Sequence, residues 1–183
     1  YSLISQEVTF PRMILAEFNT HRVFSRNSAS SRAIPTHKRL TEILEKPYIP
    51  VEWGKYMPGM SSKELLTPAN QETATDLWLE MRDRAVLGVV ALMGGVEADE
   101  ISVNPMLQEQ LEALQKDYGV SNNSTSLDGE ALHKQWVNRP LEPFMWHKVL
   151  VTATEWDNYY ALRISEHAQP EINKISELML DAY

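Results

Sequence analysis

The sequence contains no cysteine. That absence excludes a disulfide framework, a cysteine-ligated zinc or iron–sulfur site, and a thiol nucleophile. No apolar run approaches the roughly 18–20 residues that a membrane-spanning helix needs. No secretory signal pattern opens the sequence, and because it starts at Tyr1 without a methionine, further residues are expected upstream. Positive charge is also scarce. The net charge is -8, which argues against a general nucleic-acid-binding role. The five histidines form no H-x-x-x-H or H-E-x-x-H pattern, so no metal site is expected. No internal repeat is visible. What remains fits one cytoplasmic domain, residues 1–183, long enough to bury a sizeable core.

The charge is unevenly spread. Between Pro11 and Arg39 lie Arg12, Arg22, Arg26, Arg32, Lys38 and Arg39, with Glu17 the only acid. A basic segment in an acidic chain suggests a local anion site, such as one for nucleotide phosphates, or else a solvated basic face.

Residues 2–10 are rich in Ile, Val, Thr and Phe and read as a strand. Pro11 suits the first turn of a short buried helix ending near Thr20. Ser25 to Pro35 is polar, lacks apolar periodicity and reads as a loop. Helices are expected over Thr36–Lys46, from Thr67–Pro68 to Gly94–Gly95, over residues 104–118 and over Gly129–Asn138. In the long one, Trp78, Met81, Ala85, Val89 and Leu92 form one apolar stripe, read as core or subunit interface. Residues 147–154 read as a strand, 156–164 as a helical turn or short helix and 168–182 as the last helix. Long helices with a few non-alternating strands indicate an α+β fold.

Two stretches carry chemistry. His21-Arg22-Val23-Phe24-Ser25-Arg26-Asn27-Ser28-Ala29-Ser30-Ser31-Arg32 follows H-R-x-x-S-x-N-x-x-S-x-R. Arginine forks, serine hydroxyls and loop amides together can cradle a phosphate; the plainer alternative is a helix end with serine caps and surface arginines. The second runs from Asn158 to Ile172. Within it Arg163 and His167 are four apart, so they would share a face on a helical turn, as an ordinary surface pair also would.

Together these stretches resemble the flavin-dependent thymidylate synthases. That family's signature is R-H-R-x-x-S, usually extended as x-N-x-x-S-x-R, and its C-terminal half carries N-x-x-x-x-R-x-x-x-H-A-Q-x-E-I. Asn138-Arg139-Pro140-Leu141-Glu142-Pro143 resembles a third element, an arginine four residues before a proline. The resemblance covers residues 5–40 and 130–183 well, with 96–128 read as a lineage-specific insert.

The resemblance implies a mixed or antiparallel sheet with long helices packed around it and active sites at subunit interfaces, in a homotetramer. It implies methylation of dUMP to dTMP, with methylenetetrahydrofolate as carbon donor and FAD re-reduced by NADPH. Thr20, His21, Arg22, Asn158 and His167 match flavin-side positions. Glu17, Ser28, Ser30, Ser31, Arg32 and Arg139 match substrate-side positions. Arg163 matches the arginine held against the pyrimidine ring, thought to favour ionisation at N3, and is the expected catalytic residue. The chain also departs from the family pattern. Thr20 stands in place of an arginine, Glu17 of a glutamine, Ser28 of a glutamate and Thr152 of a flavin-side asparagine. Glu17 points to a relative acting on dCMP or transferring a hydroxymethyl group as an alternative. Thr20 and Ser28 point to a non-catalytic flavin- or nucleotide-binding oligomer. The better-known thymidylate synthase chemistry, with a cysteine attacking C6, is unavailable to a chain without cysteine.

Overall fold

A computed structural model of the chain describes residues 2–30, 33–58, 62, 64–94, 101–120, 127 and 130–183. Ser31, Arg32, the segment Ser121–Ser126 and parts of 96–128 lie outside the described residues. The fold is α+β, with one three-stranded antiparallel sheet and seven α-helices among the described residues. Its residues divide into two compact units. The first comprises Tyr1–Ala29, Ile49–Asp76 and Trp146–Tyr183; the second comprises Ser30–Tyr48 and Leu77–Met145. No helix among the described residues is long and apolar enough to cross a membrane.

The first unit holds the sheet. Strand β1 (Ile4–Pro11) and strand β2 (Ser25–Ser28) flank the central strand β3 (Trp146–Ala153), both antiparallel to it. In β3, His147, Val149, Val151 and Ala153 are buried and alternate with more exposed residues, the period-2 pattern of a strand packed on one face. Register places Val8 opposite Val149 and Phe10 opposite His147, so both strands bury the same face. A short 3-10 turn, Arg12–Ile14, leads from β1 into helix α1 (Leu15–Phe18). Pro11 permits this switch because the first turn of a helix needs no donated N–H. Helix α6 (Asp157–Arg163) and helix α7 (Pro170–Asp181) complete this unit's core. Phe10, Phe18, Phe24, Trp156 and Tyr159 form its aromatic centre, with Phe24 and Trp156 ring centroids 4.8 Å apart. Such tilted pairs add about 0.5–1.5 kcal/mol beyond the area they bury.

Strand β2 departs from the loop expected over Ser25–Pro35. It is mostly exposed and is held by the backbone ladder, Ser25 opposite Thr152 through Ser28 opposite Val149, rather than by burial. An edge strand of this kind has no apolar alternation to read.

The second unit is helical. Helix α2 (Thr36–Glu45) buries Leu40 and Ile43. Helix α3 (Pro68–Leu92) starts as expected, with Thr67 Oγ1 accepting from Asn70 N–H, and its residues from Leu77 onward belong to this unit. Its buried line is Val86, Leu87 and Val89, whereas Met81, expected on the apolar stripe, is 51% exposed. Helix α4 (Pro105–Asp117) is capped by Asn104, whose Oδ1 accepts from Leu107 N–H at 3.2 Å, and buries Leu107 and Leu111. The helix expected over Gly129–Asn138 shrinks to α5 (Lys134–Val137), followed by a 3-10 helix over Arg139–Phe144. Pro140 and Pro143 remove the N–H donors an α-helix would need there.

Candidate functional site

Helix α1 ends at Phe18 because the following turn satisfies its last carbonyls locally. Thr20 Oγ–H donates to the Glu17 carbonyl at 2.7 Å. Arg26 is opposite Val151 in β2, which points its side chain toward the core face, and its Nη1 donates to the carbonyls of His21 at 3.0 Å and Phe18 at 3.3 Å. A cation at the carbonyl end of a helix is favoured by the local partial negative charge. The turn brings the side chains of Glu17, Thr20 and His21 to one place.

Arg163, the last residue of α6, meets all three. Its Nε–H donates to His21 Nε2 at 2.8 Å, its Nη1 bonds to Glu17 Oε1, and its Nη2 donates to Thr20 Oγ1 at 3.2 Å. The proton bookkeeping is consistent. The Thr20 hydroxyl gives its hydrogen to the Glu17 carbonyl and offers a lone pair to Arg163. A ring nitrogen that accepts from a guanidinium carries no proton, so His21 is neutral with its hydrogen on Nδ1. Burial, and then the Arg163 and Arg26 cations, hold the His21 imidazole below its ordinary pKa. A guanidinium has five N–H groups. Those not given to His21, Glu17 and Thr20 lie on the two Nη atoms, available to planar acceptors.

Tyr159 is four residues before Arg163 and shares its helix face. Its ring meets the His21 ring edge-on at 4.8 Å and 84°. Its hydroxyl lies 2.7 Å from Ser176 Oγ, and burial pushes it up to about 12, so it is a neutral support and not a base. Sequence reading missed Tyr159, although its spacing from Arg163 carries the signal. Glu171, the glutamate of the H-A-Q-x-E-I stretch, is buried and accepts from Gln169 Nε2 at 3.0 Å and from Val51 N–H at 3.3 Å.

The other expected site residues are placed differently. Arg22, Asn158 and His167 are exposed on the first unit, and Ser28 is exposed at the end of β2. His167 does not share a helix face with Arg163. Helix α6 stops at Arg163, and the turn closed by Ala168 N–H to the Ser165 carbonyl carries His167 off the helix, where it sits 3.7 Å from Glu166. Thr152 lies on the sheet face opposite the core, its hydroxyl 2.7 Å from Ser5 Oγ. Ser30 and Arg139 belong to the second unit, where Arg139 pairs with Glu142 at 3.1 Å. Ser31 and Arg32 lie outside the described residues. The described cations of the basic segment fall in both units. Arg12 contacts His147, Arg26 holds carbonyls and buried Arg39 pairs with Glu42, while Arg22 and Lys38 remain exposed.

No protein-family model matches the chain. No curated protein matches it by sequence.

Proposed function

We propose that this chain is a flavin-dependent thymidylate synthase that methylates dUMP to dTMP. One observation supports this above the others. Arg163, from the C-terminal motif, is held by Glu17, Thr20 and His21 beside and within the N-terminal motif. In the proposed reaction, the Nη donors of Arg163 meet the pyrimidine edge. A fixed cation there stabilises negative charge on the ring and makes C5 the better nucleophile. No thiol is needed for that activation.

The donor chemistry of Arg22, Asn158 and His167 suits FAD. All three are exposed polar side chains that can address phosphates or a ring edge, and they would hold the group. When bound, the flavin supplies the reducing equivalents that make the transferred carbon a methyl group, and NADPH replenishes them. Methylenetetrahydrofolate is the carbon donor. The nucleotide phosphate falls to Ser30, Ser31, Arg32 and Arg139, by resemblance, with the sites shared between subunits of a cytoplasmic homotetramer.

A second reading has one specific observation in its favour. Glu17, where the family pattern carries glutamine, places a carboxylate against Arg163. A carboxylate only accepts hydrogen bonds, which suits an exocyclic amine and hence dCMP, with methyl or hydroxymethyl transfer.

The test starts from the absorbance spectrum of the purified protein and its anaerobic bleaching by NADPH. Mass spectrometry of the products from dUMP and from dCMP then follows. A flavin spectrum with dTMP formed from dUMP is expected. A protein that binds no FAD, or that converts neither nucleotide, overturns both readings.

A further inference from the structure

We propose that His21 is the positioning residue of Arg163, fixing the plane of its guanidinium through a neutral imidazole acceptor, and that it is not itself a flavin contact. The ring is committed at Nε2 and on the sides that Tyr159 and Phe24 cover, while Nδ1–H has no partner among the described residues. Nε2 accepts from Arg163 Nε–H at 2.8 Å. Tyr159 meets the ring edge-on, and Phe24 lies 5.7 Å away on a tilted plane. Only 7% of the residue remains exposed, which leaves a ligand little surface to touch. The backbone is committed as well, since the His21 carbonyl accepts from Arg26.

The geometry assigns a reason to each choice. Nε is the one guanidinium nitrogen on the side-chain axis, so anchoring it fixes the rotation of the whole plane. Glu17 on Nη1 and Thr20 on Nη2 then set which N–H groups remain outward. A carboxylate in place of His21 would put a second anion on Arg163 and cancel the field that the pyrimidine needs. A protonated histidine would repel it. A neutral acceptor orients the cation without neutralising it, and the aromatic packing of Tyr159 and Phe24 keeps that acceptor still.

This inference rests on Arg163 meeting the pyrimidine only in its functional half; the positioning half stands on the ligand-free protein. Two variants separate the parts. His21→Phe keeps a ring against Tyr159 and Phe24 but removes the acceptor. His21→Gln keeps an acceptor at a similar reach. In the ligand-free protein, nitrogen-15 NMR should show His21 protonated on Nδ1, and the Arg163 Nε–H should exchange slowly. His21→Phe should speed that exchange, and His21→Gln should restore most of the protection. Titrated separately, dUMP affinity should fall at least about tenfold in His21→Phe, the size expected for losing a hydrogen bond to a charged group. FAD affinity should change by less than about twofold, and His21→Gln should recover dUMP binding. A proton on Nε2, unchanged Arg163 exchange in His21→Phe, or loss of FAD with dUMP binding intact overturns the proposal. Should the wild type bind neither ligand, the thymidylate reading fails while the NMR comparison still decides the positioning role.

Discussion

The Nε–H of Arg163 donates to His21 Nε2 at 2.8 Å although 142 residues of chain separate the two. The bond ties the end of α6 to the turn after α1, and its chemistry demands an unprotonated imidazole. A bond that needs one protonation state makes the local structure sensitive to pH.

The sign follows from the direction of the His21 shift. Burial, Arg163 and Arg26 lower its folded-state pKa, so the unfolded chain takes up the proton first as pH falls. The groups facing it are Arg163 and Tyr159 from α6 and Arg26 from β2, with Glu17 of α1 on the far side of the Arg163 bond; Tyr159 stays neutral until about 12. The stability that neutral His21 contributes is therefore complete above the ordinary histidine value of about 6.5 and is lost as pH falls below it. Urea denaturation from about pH 7.5 to about pH 5 should show the wild type losing more stability than His21→Gln. Parallel losses in the two proteins would sink this assignment.

Arg163→Ala should abolish methyl transfer, and Arg163→Lys should rescue it poorly. Lysine keeps the charge but cannot reach His21, Glu17 and Thr20 at once while still addressing a planar ring edge. The expected loss is about 2–4 kcal/mol of transition-state stabilisation. Steady-state kinetics on both variants check it. A near-normal kcat with only a raised KM would show that Arg163 binds without activating.

Much of the fold was legible because burial wrote it. Val8 and Phe10 in β1, and Val149, Val151 and Ala153 in β3, alternate as half-buried strands must. Thr67–Pro68 and Asn104–Pro105 mark helix starts by their own capping chemistry. Strand β2 was illegible because the backbone ladder and the Arg26 side chain hold it, with no apolar alternation. Helix α3 misled because apolar residues occur on several of its faces, and Met81 and Val86 compete to define the stripe. At the site, residue types and motif order singled out Glu17, Thr20, His21 and Arg163, but no spacing rule reveals that they touch. The four-residue spacing of Arg163 and His167 would give a shared face only on a continuous helix, and the break read between 164 and 168 is where the chain leaves α6.

Two glycines in the helical unit should respond oppositely to alanine. Gly88 sits on an exposed position of α3, where an added Cβ meets nothing within 4 Å. Gly88→Ala should stabilise by about 0.5–1 kcal/mol, because glycine costs a helix backbone entropy. Gly94 follows the helix at φ +59, and an added Cβ would lie 2.6 Å from the Glu130 carbonyl oxygen. The same close passage lets Leu132 N–H reach the Leu92 carbonyl at 3.0 Å. Gly94→Ala should cost at least about 1–2 kcal/mol, the penalty for a side chain in the left-handed region. Denaturant midpoints compare the pair directly, and shifts of the same sign would contradict the local geometry.

Glu17 is where the structure and the choice of base meet. Its carboxylate takes one Nη1 position of Arg163, and both side chains are part-buried. Glu17→Gln keeps an oxygen that accepts from Arg163, so the variant should fold. It adds two N–H donors and removes the negative charge. In an enzyme for dUMP, the amide can serve both a ring carbonyl and the N3–H, and Arg163 gains a stronger field at the ring. Methylation should then hold or improve. In an enzyme for dCMP, the carboxylate is the better acceptor for the exocyclic amine, so Glu17→Gln should reduce turnover of dCMP. The measurement is kcat/KM for each nucleotide in both proteins. If neither value moves by more than about twofold, a difference of only ~0.4 kcal/mol, then Glu17 holds Arg163 without reading the base.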